Sequence, residues 1–330
     1  MTTIVAALAA LALVACGSGG AAPTSAGTSG STAAADKAVS IGITQIVDHP
    51  SLNASVVGFK AALADAGYEV TYDEQNAQSD VSTAATIAGN FANADLDLVL
   101  AVATPTAQAA VQAITDVPVL FTAVTDPVGA GLVESMEAPG ANVSGTSDAN
   151  PVAEQLALVK ELAPDATTVG IVYSSGEANS QAQVDWAKEA ATDLGLTIEE
   201  ATVTTSAEVQ QATESLEVDA FYVITDNVVV SALESLLQVA ETKKIPVIAA
   251  EGDSVARGSI ATVGISYEKL GYQTGEMAAK ILAGDADPAT MPVGTQTDLD
   301  LYLNLGAAER QGVTVPQSLV DRADPANVTE

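Results

Sequence analysis

The residues that could do chemistry fall in six short strings, each directly after an apolar run. Gln45 and Asp48-His49-Pro50 follow the first run, and Thr104-Pro105 and Thr125-Asp126-Pro127 follow two more. In the second half the strings are SSGEANS at 174–180, which holds Glu177, Asn179 and Ser180, then Thr225-Asp226-Asn227, then Glu251-Gly252-Asp253-Ser254. They hold hydroxyls, amides and carboxylates but almost no bases: of Arg257, Arg310 and Arg322 only Arg257 stands near one of them. A phosphate or polycarboxylate ligand would need more cations there. The set suits a ligand with a cationic amine and one small anion, such as an amino acid. The ammonium would make a charge-assisted contact with Asp226 or Asp253, and the carboxylate would take donors from Ser180, Thr104 or Thr125. On that reading Asp226→Ala abolishes binding and leaves the fold intact. At any one position an ordinary helix N-cap is the competing explanation. Capping alone does not call for acids at Asp226, Glu251 and Asp253 together.

Two kinds of segment must position these strings. From Val39 onward, β-rich runs alternate with helical spacing: strands at 40–47, 69–74, 96–103 and 118–124, with helices at 52–66, 81–94 and 105–114 between them. The pattern restarts with helices at 152–162, 180–194, 207–216, 228–242 and 267–283, and strands at 168–173, 197–204, 219–224, 246–250, 259–265 and 298–303. Alternation with buried strands predicts an α/β protein with parallel sheets, and the restart predicts two similar lobes. NVSGTSD at 142–148 and the stretches near 263–266 and 294–297 read as passages between them. In such sheets ligands bind outside the carboxyl ends of the strands, where helix N-termini offer free N–H groups. The polar strings all fall at that end. His49 orients a ligand group or packs and caps locally. Trp186 reads as a packing residue, and Phe121, Tyr173 and Tyr222 read as core residues of which one could wall the cleft.

Composition removes other kinds of function. The chain has one cysteine, Cys16, and one histidine, so disulfides, a thiol nucleophile beyond position 16 and a His-based metal site are excluded. A net charge of −31 from 42 acids and 11 bases opposes binding to nucleic acid or to an anionic membrane. With 48% hydrophobic residues the chain still forms a core. No G-x-S-x-G, H-E-x-x-H, phosphate loop or dinucleotide fingerprint is present, and no enzyme, cofactor or metal is expected.

Residues 4–15 (IVAALAALALVA) form an apolar run too short to span a bilayer, as in a secretory signal, although no Lys or Arg precedes it. Leu13-Val14-Ala15-Cys16 resembles a bacterial lipobox, which implies a signal peptide over 1–16 and lipidation of Cys16. Residues 17–38 are rich in Gly, Ser, Thr and Ala and are expected to be a flexible tether. About 290 residues remain, enough for two ordinary lobes.

ITQIVDHPSLNA (43–54), QNAQSD (75–80), ATPTAQAA (103–110), FTAVTDPVGAGLV (121–133), SGEANS, TDN, EGDSVARG (251–258) and GISYEKLGYQTG (264–275) together resemble the substrate-binding proteins of ABC transporters, of the tryptophan/tyrosine type. The resemblance implies a type I periplasmic-binding fold with a three-strand hinge. Lobe 1 would be 39–145 plus 265–296, and lobe 2 would be 146–264 plus 297–330. It carries ligand contact over to Gln45, His49, Thr104, Thr125, Asp126, Glu177, Asn179, Ser180, Asp226, Asn227, Glu251 and Asp253. It further implies a monomer held on the outer face of the cell membrane by its lipid, binding an aromatic or hydrophobic amino acid. A permease, and through it an ATPase, would be the partners. An exported sensor of the same fold for another small metabolite is the alternative.

Overall fold

The computed structural model describes residues 38–330. The lipobox at Cys16 and the expected tether, up to residue 37, lie outside the described residues. The elements run β1 (Val39–Gln45), α1 (Pro50–Asp65), β2 (Val70–Asn76), α2 (Val81–Phe91), β3 (Leu98–Val102), α3 (Thr104–Ala113), β4 (Val119–Val124) and β5 (Val143–Ser147). Next come α4 (Val152–Leu162), β6 (Thr168–Ser174), α5 (Ala178–Leu194), β7 (Thr197–Val203), α6 (Val209–Ser215), β8 (Ala220–Val223), α7 (Asn227–Ser231), α8 (Leu233–Lys243), β9 (Val247–Ala249), α9 (Gly252–Arg257) and β10 (Ala261–Gly264). The chain ends with α10 (Tyr267–Leu282), β11 (Gly294–Thr295), β12 (Asp300–Asn304), α11 (Leu305–Arg310), α12 (Gln317–Val320) and β13 (Val328–Thr329).

Two sheets form, in strand orders β11-β5-β4-β3-β1-β2 and β13-β12-β10-β9-β8-β6-β7. Every pairing is parallel except β10 with β12. The chain passes between the sheets three times, after β5, after β10 and after β11. This is the doubly covered α/β architecture that alternating strands and helices dictate. In the second lobe the strand residues divide by parity. Ala220, Tyr222 and Ile248 join one apolar cluster, and Phe221, Val223, Val247 and Ala249 join the other, so both faces of that sheet are buried.

Three expectations fail locally. NVSGTSD is not only a passage, because 143–147 form β5 inside the first sheet. The expected helix 228–242 breaks at Ala232 (φ −119°, ψ 25°), where Ser231 Oγ bonds back to Val228 O after three stiff valines. The first sheet also takes Thr146 and Ser147 through β5, so the first lobe runs past its expected end at 145.

Helices α1 and α10 carry the cleft-facing ends of the first lobe, and glycines let them touch backbone to backbone. A Cβ at Gly271 would overlap the Ser55 carbonyl, one at Gly58 the Glu268 carbonyl, and one at Gly275 the Phe59 carbonyl. This contact fixes the N-terminus of α1 beside that of α10. Gly271→Ala is therefore expected to force the helices apart and cost roughly 1–3 kcal/mol. Gly89→Ala, in α2 with nothing within 4 Å of the new Cβ, is expected to stabilise by roughly 0.5–1 kcal/mol. Urea melts of the two variants check the contrast, and equal midpoints would contradict it.

Candidate ligand-binding site

Strand ends and helix starts of both lobes line a narrow cavity of about 20 Å³, room for about one water, so a larger molecule enters only as the two walls part. Lobe 1 contributes His49, Ser51 and Leu52 from the start of α1, and Ala123 and Thr125 from the end of β4. Asp148, just beyond β5, and Tyr267, the first residue of α10, complete that side. Lobe 2 contributes Asn179, Thr225, Asn227, Val230 and Glu251.

Local sequence explains these placements. Pro50 starts α1 with its fixed φ, and His49 stands at the N-cap with no side-chain cap bond. The first-turn N–H groups of α1 are thus left without a side-chain acceptor. Ala123 takes φ 56° where the β4–β5 register shifts, so a bulge turns its side chain to the cavity. Ala103, at the end of β3, also has a positive φ of 77°. Backbone strain of this kind concentrates at ligand sites.

The wall is acidic and holds neither Lys nor Arg. Asp148 is 2% exposed and accepts from Thr125 Oγ1 at 2.9 Å and from Tyr267 Oη at 2.5 Å. Burial pushes its carboxyl up, against the pull of those two bonds. Glu251 is raised by burial and by Asp253, although Ser254 N and Ser254 Oγ donate to it. Arg257 is spent elsewhere, on both oxygens of Glu234 at 2.8 Å and on Val230 O. Its charge still reaches His49, whose pKa falls to about 4 through burial first and Arg257 second, while Asn227 and Asp48 oppose the shift. His49 is therefore a neutral imidazole near pH 7. Thr125 Oγ1 and Thr225 Oγ1 meet across the lobes at 3.5 Å. Three buried polar atoms of wall residues make no hydrogen bond of normal length, His49 Nδ1, Ser51 Oγ and Asn179 Oδ1, although the Ser51 hydroxyl stands near enough to Glu251 and Asp253 to favour their charged forms.

Of the expected contact residues, His49, Thr125, Asn179, Asn227 and Glu251 lie on the wall; the others lie off it. Gln45 donates to Val47 O and Asn53 Oδ1 and holds the turn into α1. Asp126 takes Gly129 N at 2.8 Å in its own turn. Thr104 begins α3, buried and without a partner for its hydroxyl, but off the wall. Asp253 lines a separate open groove of about 290 Å³.

Asp226 is corrected as the ammonium partner. It is fully buried, and Oδ1 accepts from Val229 N while Oδ2 accepts from Ser174 N and Ser180 Oγ. Ser180 is committed by the same bond. Asp226→Ala is expected to unfold lobe 2 and not to remove ligand contact selectively. Glu177 stands one layer behind the wall, where Oε2 accepts from Asn179 Nδ2, Asn227 N and Asn227 Nδ2. It aims both amides. Ser51, Leu52, Ala123, Asp148, Thr225, Val230 and Tyr267 were not singled out by sequence as ligand contacts. Asp148 and Tyr267 did lie inside quoted strings, NVSGTSD and GISYEKLGYQTG, and Thr225 and Ser51 sit beside expected residues.

Burial and the neighbouring Asp226 carboxylate push Glu177 up to about 8. A carboxyl with a raised folded pKa takes up a proton on folding. Its stabilisation is full below about 4.5 and is lost as pH climbs through about 8. His49 acts in the opposite sense, losing stability as pH falls from 6.5 toward about 4. The melting temperature is expected to fall between about pH 6.5 and pH 9, and Glu177→Gln is expected to flatten that slope. Calorimetry across the range checks it, and a rising temperature or an unchanged slope would contradict it.

Comparison with known proteins places the chain. Over 274 residues it is 45% identical to the tyrosine-binding protein of Clostridioides difficile (strain R20291), covering 81% of this chain and 79% of that one. A crystal structure of an ABC domain in complex with L-Trp from Streptococcus pneumonia superposes with a TM-score of 0.85 at 35% identity, over 89% of this chain and all of that one. A ligand-free, open structure of a substrate binding protein with adhesive properties from Clostridium difficile superposes at 0.66 with 45% identity, over 88% and 98%. The folds agree as type I periplasmic-binding architecture, and residues 40–327 match the family described as ABC transporter substrate binding protein, to which this chain belongs.

Proposed function

We propose that the chain captures an aromatic amino acid between its lobes and delivers it to an ABC permease, held at the outer face of the membrane by a lipid on Cys16. The observation that carries this reading is the cavity itself. It lies between strand ends of both lobes, is walled by buried carboxyls with no cation, and holds polar atoms that make no hydrogen bond of normal length. An unpaired buried polar atom costs about 1–3 kcal/mol, so three of them mark a cavity shaped for an occupant. An ammonium meets the acids, a carboxylate meets the uncapped N–H groups of α1, and a flat side chain packs against Leu52, Ala123, Val230 and the Tyr267 ring once the walls part to admit it.

Two relatives support the ligand class, one named for tyrosine and one holding L-Trp. The superpositions support closure as well. The open, ligand-free relative is more identical to this chain than the L-Trp complex is, yet overlays less well. Identity cannot produce that order; a different angle between the lobes can. The cross-lobe approach of Thr125 and Thr225 agrees with a closed cleft. Binding energy from both lobes is what draws such a cleft shut.

Thermal-shift measurements of the purified chain against the twenty amino acids test the ligand. At a hundredfold excess over Kd the bound state gains about 2.7 kcal/mol. Tyrosine, tryptophan or phenylalanine is expected to raise the melting temperature most. A response to sugars or polyols with none to amino acids would sink the reading. Fractionation tests the anchor: Cys16→Ser is expected to move the exported chain from membrane to soluble fraction, and continued membrane association would exclude a lipid at that residue.

A further inference from the structure

His49 is the single histidine of the chain, and its place on the cavity wall ties its charge to the distance between the lobes. It stands at the N-cap of α1 in lobe 1, with Asn227 and Val230 of lobe 2 on the same narrow cavity. The residue is 8% exposed, and Nδ1 makes no hydrogen bond of normal length. A neutral imidazole can keep one nitrogen as a bare acceptor, whereas an imidazolium carries an N–H on both. In the closed cleft the second N–H would be buried without an acceptor at normal distance. The charges around the ring add to this. Asp48 in its own turn and the Asn227 side chain favour the charged form, but burial and Arg257, the last residue of α9 in lobe 2, outweigh them. The other titratable groups of the wall are Asp148, Tyr267 and Glu251, with Asp253 beside Glu251 and Glu177 behind Asn227. Burial raises the pKa of all five, and none of them serves the ring as a counter-ion. Arg257 and part of the burial come from lobe 2, so both recede as the walls part and water reaches the ring.

We propose that His49 is a proton-sensitive gate on the cleft: the lobes close on a ligand only around the neutral ring, and protonation in the open state holds them apart. This rests on the reading that a ligand is captured between the lobes, and adds that an acid exterior releases it. The sign of the linkage is fixed. Closing lowers the pKa of the ring from 6.5 to about 4. Closure therefore expels a proton wherever the open ring is charged, and affinity falls as pH drops below about 6.5. Between pH 7 and pH 5 the expected loss is about twentyfold.

Because the chain has one histidine, its ring protons report on this site alone. The test follows them by NMR through a pH titration of the untagged chain, free and saturated with L-tyrosine, beside calorimetric affinities at pH 7 and pH 5. The free chain is expected to titrate near the ordinary imidazole value of about 6.5, and L-tyrosine to move that midpoint down by more than about one pH unit. Wild type is expected to bind L-tyrosine about twentyfold more weakly at pH 5. His49→Gln, which cannot take the proton, is expected to hold one affinity across that range, and Glu251→Gln to keep the fall. The NMR titration needs no variant, so it decides the matter should either substitution not fold. A midpoint that L-tyrosine leaves unmoved, or a pH dependence that survives in His49→Gln and vanishes in Glu251→Gln, would overturn the gate and leave capture standing. If none of L-tyrosine, L-tryptophan and L-phenylalanine bound, the capture reading would fall and the gate with it.

Discussion

Carboxyl groups buried without cations are the constraint on which this structure turns. Asp148, Glu177, Asp226 and Glu251 are each at least nine-tenths buried, and burial raises the pKa of all four. In water such groups are ionised at neutral pH; here each must find donors or hold a proton. Asp148 finds Thr125 and Tyr267, and Asp226 finds two backbone N–H groups and Ser180. Glu251 takes Ser254 N and Ser254 Oγ, and the Ser51 hydroxyl also favours its charged form. On the proposed function, a ligand ammonium supplies the missing cation. The same scarcity of bases that sets the net charge therefore shapes the site.

The scaffold makes that scarcity tolerable. Strand ends of two parallel sheets converge on the cavity, so helix N-termini meet there with unsatisfied N–H groups. Glycine contacts between α1 and α10 lock two of these termini side by side. Behind the wall of lobe 2, Glu177 holds two amides in one orientation, converting a loop of small polar residues into a fixed set of acceptors. On the proposed function, the angle between the lobes is the freedom that ligand binding would control.

Much of this was legible from residue order. Alternating apolar runs gave the strands and most helices, and the polar strings fell at the strand ends where the cavity lies. What sequence could not separate was a ligand contact from a cap. Asp226 and Asn179 stand in equally polar strings, yet one is spent on β6 and α7 while the other keeps an oxygen free. The difference depends on β6 pairing with β8, which brings Ser174 N within 2.6 Å of Asp226 across 52 residues. Asp148 and Tyr267 meet across 119 residues, and nothing local marks either as the other's partner. The break between α7 and α8 was missed because Ala232 is an ordinary helix former whose backbone departs only under the packing of its neighbours.

A crystal structure with L-tyrosine in the cleft is the most direct test. The account predicts the ligand enclosed by both lobes, in contact with Ser51 and Thr125 on one side and with Asn179 and Glu251 on the other, its ammonium meeting the acids. A ligand bound outside that cavity, or one with its carboxylate turned toward Glu251, would contradict it.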